Sequence, residues 1–78
     1  MNDIVWNKIM LAEFRDLACL SDTENLVLQD WADGKSIVNT AVMRNISTRQ
    51  VDTLRNQIRK KYDAVQIYTP LLPPRKPK

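Results

Sequence analysis

Residues 36–62, SIVNTAVMRNISTRQVDTLRNQIRKKY, read as two helices joined by a tight turn, and that reading decides the fold. Ser36 is placed to cap a short helix running to about Arg44, with Ile37, Ala41 and either Met43 or the stem of Arg44 facing inward. Asn45 follows, and asparagine is one of the few residues besides glycine that tolerates the left-handed backbone such a turn requires. Ser47-Thr48-Arg49-Gln50 then has the spacing of a capping box, in which a serine and a glutamine three residues on satisfy each other's backbone N–H. It opens the longest helix, whose buried stripe is Val51, Leu54, Ile58 and Tyr62. On the opposite face lie Arg49, Thr53, Asn56 and Lys60, with Asp52 and Arg59 at its edges.

Upstream, Ser21-Asp22-Thr23-Glu24 is a second capping box, and Leu26, Val27, Leu28 and Trp31 supply the apolar stripe of the helix it starts. Gly34 closes that helix where a left-handed residue costs least. Trp6, Ile9, Met10, Phe14, Leu17 and Ala18 recur at three- and four-residue intervals, predicting an amphipathic helix over 3–19 capped by Asn2 or Asp3. All four prolines follow Thr69, so 69–78, TPLLPPRKPK, is expected to be an extended basic tail, with Leu71 and Leu72 as docking points. The expected architecture is all-α. A single helical domain over 1–68 contains a tri-helical helix-turn-helix core at 21–64 and the extra N-terminal helix, and the tail follows.

Charge is unevenly distributed. Residues 1–34 hold two cations and seven anions, a net −5, whereas residues 35–78 hold ten cations and two anions, a net +8. Such polarity fits a second half that meets a polyanion. The absent residues narrow the chemistry: with no histidine, one cysteine and one glycine, the chain lacks the usual zinc ligands, nucleophile pairs and glycine-rich phosphate loops. No enzyme activity, metal or cofactor is expected. Neither a membrane span nor a signal-peptide pattern is visible, and the single Cys19 fits a reducing compartment, so a cytoplasmic protein is expected. At 78 residues one core supplies only about 3 to 5 kcal/mol, which makes a dimer plausible, with the N-terminal helix as its expected seat.

A DNA-reading helix pair needs a small residue at the crossing, a turn residue at positive φ, and apolar residues that fix the second helix. Ala41, Asn45, Ile46, Val51 and Leu54 take those roles in order. Thr53 and Asn56 are the expected base readers, since a threonine methyl meets thymine and an amide pairs with an adenine edge. The run Arg55, Arg59, Lys60 and Lys61 is expected to attract phosphates. Asp52 repels phosphates unless it accepts from a cytosine amino group or pairs with a nearby arginine. Trp6, Phe14 and Trp31 have the spacing of core residues rather than of a base-stacking platform.

From Leu20 to Tyr62 the chain resembles the LuxR-type helix-turn-helix and the related final DNA-binding region of sigma factors, without gaps. The matching points are Leu20, Glu24, Val27, Leu28, Gly34, Ser36, Ala41, Ile46, Ser47, Val51, Ile58 and Lys61. The resemblance implies base-facing positions at Asp52, Thr53 and Asn56 and phosphate contacts at Arg49, Lys60 and Lys61; Thr48, Gln50 and Arg59 complete the candidate DNA-binding set. Thr40 and Arg44 stand where the family has aliphatic residues, Val42 and Met43 where it is polar, and Leu54 replaces a usual polar residue. These departures suggest a rotated or shifted scaffold helix. The expected function is that of a small bacterial or phage transcriptional regulator binding double-stranded DNA sequence-specifically. The alternatives are a sigma-like module docking on RNA polymerase or another assembly, and a non-specific DNA-packaging protein.

Overall fold

Residues 4–73 are described by a computed structural model, and among them there are four helices and no strand. These are α1 (Lys8–Leu17), α2 (Asp22–Ala32), α3 (Ile37–Arg44) and α4 (Thr48–Gln66). The chain is all-helical, and α4 packs against each of the other three. No described helix is long and apolar enough to cross a membrane.

Local chemistry sets the helix boundaries. Both capping boxes form: Ser21 accepts from the Glu24 N–H while Glu24 accepts from the Ser21 N–H, and Ser47 and Gln50 repeat the exchange. Ser36 caps α3 through the Asn39 N–H at 3.1 Å. Gly34 has φ +84°, and two bonds close the end of α2, Gly34 N–H to the Trp31 carbonyl and Lys35 N–H to the Asp30 carbonyl. The end of α3 repeats that pattern with Asn45 at φ 57°, ψ 46°; the Asn45 N–H donates to Val42 and the Ile46 N–H to Ala41.

The N-terminal helix starts later than the sequence pattern suggests. Asn7 caps it, its side chain accepting from the Met10 N–H at 2.8 Å, while the proposed caps Asn2 and Asp3 lie outside the described residues. Residues 4–7 stay out of the helix, which lets Ile4 and Trp6 reach the core from an unwound segment. The inward row of α1 is therefore Met10 and Phe14, continued by Ala18 and flanked by Leu11, and both Ile9 and Leu17 are exposed. Leu26 is likewise exposed, because the inward row of α2 is Glu24, Val27, Leu28 and Trp31. On α3 the inward residues are Thr40 and Ala41 with part of Ile37 and Arg44, and Met43 faces out.

The core is built on aromatic rings. Trp6 lies 5.3 Å from Phe14, 5.7 Å from Tyr62 and 5.8 Å from Trp31 between ring centroids, within the range of favourable tilted and edge-on pairs. Val27, Leu28, Val51 and Ile58 complete it, all fully buried. Of the candidate tail, Thr69 and Leu72 are buried, the Tyr62 hydroxyl donates to the Pro73 carbonyl, and Leu71 is exposed. Arg75, Lys76 and Lys78, which would make the tail basic, lie outside the described residues.

Thr40 and Arg44, two polar residues on the inward side of α3, are accommodated in different ways. Arg44 reaches Asp30 on α2 with two bonds, Nε at 3.0 Å and Nη2 at 2.8 Å, and Lys35 stands 3.7 Å from the same fully buried carboxylate. The Arg44 hydrogen bond is the main reason the Asp30 carboxyl stays below its usual range; burial pushes it up, and the charges of Arg44 and Lys35 add to the lowering. Thr40 is also fully buried, but its hydroxyl has no hydrogen-bond partner among the described residues.

Candidate nucleic-acid interface

Helix α4 has a closed side and an open side. Val51, Arg55, Ile58 and Tyr62 are buried, and Leu54, Arg59, Lys61 and Val65 are half-buried beside them. Arg49, Asp52, Thr53, Asn56, Gln57 and Lys60 are exposed, along with Thr48 and Gln50 in the first turn. Successive members of the row Arg49, Thr53, Asn56 and Lys60 lie three or four residues apart, so they share one helix face. Among the described residues Arg49, Thr53 and Lys60 make no hydrogen bond or ion pair through their side chains.

Several of the other cationic and polar residues of α4 already have intramolecular partners. Lys61 donates to Glu24 at 2.7 Å and to the Cys19 carbonyl at 2.6 Å, which ties α4 to the start of α2. The lysine expected as a phosphate contact is thus engaged within the fold, where the buried Glu24 needs a cation. Burial pushes the Glu24 carboxyl up, yet the Lys61 hydrogen bond and charge, with the hydrogen bonds of Ser21, bring it below its usual range. Arg55 belongs to the core rather than to a cationic surface run. It stacks on Trp31 at 4.8 Å from the ring centroid and donates to the Lys35 carbonyl at 2.9 Å.

Arg59 and Gln50 are intermediate cases. Arg59 also lies over Trp31, at 4.9 Å, and donates to Asn56 Oδ1 at 2.7 Å. That bond occupies one lone pair of the Asn56 carbonyl and leaves its NH2 group without a partner among the described residues. Gln50 spends its carbonyl on the Ser47 N–H, which makes it first a capping residue. Gln57 was not among the sequence candidates although it shares the open side. Its signal was its spacing, four residues after Thr53 and three before Lys60.

An open groove of about 520 Å3 runs beside this face, between the starts of α2 and α4, lined by Ser21, Thr23, Ser47, Arg49, Thr53 and Leu54. Two helix N-termini and one arginine border it, a setting that attracts anions. The exposed Asp22 in the first turn of α2 opposes that attraction. Among the described residues no cluster of three or more acidic, cysteine or histidine side chains is arranged to hold a metal ion. No protein-family model, curated protein or solved structure matches the chain.

Proposed function

We propose that the protein binds double-stranded DNA sequence-selectively, with α3 and α4 acting as a helix-turn-helix and the open side of α4 entering the major groove. The observation that carries this reading is the row Arg49, Thr53, Asn56 and Lys60. These side chains are exposed on one face of a helix that its buried side fixes against three others. Thr53 and Asn56 are the base readers, Arg49 and Lys60 hold phosphates, and Asp52 at the edge of the face disfavours binding to arbitrary sequence. The left-handed Asn45 and the N-cap Ser47 set the turn between the two helices, and the resemblance of residues 20–62 to LuxR-type and sigma-factor domains supports the same reading.

A second reading has its own observation. Val38, Val42 and Met43 are exposed on the outer face of the eight-residue α3, an apolar surface that would suit a protein partner such as RNA polymerase. Selection of bound duplexes from a random pool at near-physiological salt separates the two. An enriched motif supports sequence reading. Binding that is steeply salt-dependent but yields no motif indicates a non-specific packaging role. No retained duplex at all leaves the protein-docking reading in possession.

A further inference from the structure

One member of the open face, Asn56, is joined to the core through a single side chain. Arg59 lies three residues further along α4, and its Nη1 donates to Asn56 Oδ1 at 2.7 Å. Its guanidinium is 4.9 Å from the centroid of Trp31, inside the ~6 Å reach of a cation–π contact. Trp31 belongs to α2 and is itself held, edge-on to Trp6 at 5.8 Å and with the Arg55 guanidinium 4.8 Å from its ring. Arg59 is half-buried against that ring, whereas Asn56 is exposed. The ring thus orders the long donor side chain, and the bond has only the short Asn56 side chain left to immobilise.

A guanidinium carries donors only, whereas an amide carries a donor group and an acceptor. Asn56 must therefore turn its carbonyl to Arg59, which leaves the NH2 group on the other arm of the planar amide to face outward, with no partner among the described residues. An amide free to rotate reads adenine with both arms, its carbonyl on the N6 amino group and its NH2 on N7. An amide presented by its NH2 group offers donors, and the purine whose major-groove edge has acceptors alone is guanine, through N7 and O6.

We infer that Arg59, braced on Trp31, is a positioning residue that orients the Asn56 amide and so turns its base preference from adenine to guanine. The base choice rests on the proposed DNA reading; the orientation of the amide does not. Arg59 then acts on specificity through Asn56, in contrast to a phosphate contact, which would add affinity for every sequence alike.

NMR relaxation of the side-chain amides in the full chain without DNA tests the orientation. The exposed Asn39, whose side-chain amide has no partner among the described residues, is the internal reference. The Asn56 NH2 order parameter should exceed that of Asn39, and it should fall to the same level in Arg59→Met, which keeps an unbranched stem beside Trp31 and loses every donor. Arg59→Lys keeps the charge without the planar stack, so it should fall partway, and it carries the test if Arg59→Met unfolds. Selection from a random duplex pool with the same proteins tests the base. At the pair whose preference Asn56→Ala relaxes, the wild type should favour guanine over adenine by about fivefold, and Arg59→Met should abolish or invert that ratio. An Asn56 amide as mobile as Asn39, a wild-type preference for adenine, or base preferences unchanged in the Arg59 variants overturns the inference; the last, with affinity lowered on all sequences, would make Arg59 a plain phosphate contact. An ordered Asn56 with no enriched motif is instead a failure of the DNA reading, and the guanine choice falls with it.

Discussion

The two sides of α4 carry similar residues to opposite ends. On the closed side, Arg55 is stacked on Trp31 and Lys61 is held by Glu24; on the open side, Arg49 and Lys60 face solvent without partners among the described residues. Nearby, Lys35 and Arg44 are drawn to Asp30. Much of the +8 charge of the second half therefore serves to neutralise buried carboxylates and brace a ring, not to cover a surface. Net charge of a segment measures the excess of its cations over its anions, whereas attraction for a polyanion depends on how many cations remain unengaged.

The division can be broken most forcefully at Ile58, which is fully buried on the closed side. Ile58→Ala should cost about 2 to 5 kcal/mol of stability in thermal or urea unfolding, against essentially nothing for the exposed neighbour Gln57→Ala. Equal losses would mean that α4 has no distinct sides. Next in size, Asn56→Ala should lower affinity for the selected duplex by about 1 to 3 kcal/mol and relax one base preference, with the unfolding midpoint unchanged. A uniform loss on every sequence would remove Asn56 from base reading.

A third change sharpens the contrast from within. Thr40→Val deletes a fully buried hydroxyl that has no partner among the described residues and keeps the side-chain shape, so stability should rise by about 1 kcal/mol. A decrease would reveal a bound water or a partner for that hydroxyl. Two adjacent lysines give a finer comparison: Lys60→Ala should reduce the slope of log affinity against log salt by about one, whereas Lys61→Ala should leave the slope alone and lower thermal stability. Identical slopes for the two variants would erase the distinction between free and engaged cations.

The smallest effect is a dependence on pH. Asp30 and Glu24 both titrate below their ordinary values, 3.8 and 4.5, in the folded chain, so the folded state binds fewer protons than the unfolded one in that region. Their contribution is fully present above those ordinary values and is lost as pH falls through them toward the folded ones. The melting temperature should therefore drop between about pH 5 and pH 2, and the drop should shrink in the variant carrying Asp30→Asn and Glu24→Gln. An unchanged acid slope in that variant would assign the loss to other carboxylates.

The features legible from sequence are those settled within a few residues of chain. The caps at Ser21, Ser36 and Ser47 and the left-handed positions at Gly34 and Asn45 depend on bonds spanning three to five residues, and each forms as its local pattern implies. The stripe of Val51, Ile58 and Tyr62 follows from helical period alone. Packing decided the rest. Periodicity marks Ile9, Leu17 and Leu26 as apolar but says nothing of whether another element covers them, and here none does so fully. The role of a cation was the least legible: Arg55 and Lys60 look alike along the chain, but only the approach of Trp31 and the loop after α2 makes one a core residue and leaves the other for solvent. Ion pairs between Asp30 and Arg44 or Glu24 and Lys61 join residues 14 and 37 apart, and contacts at that separation exist only once the helices have docked.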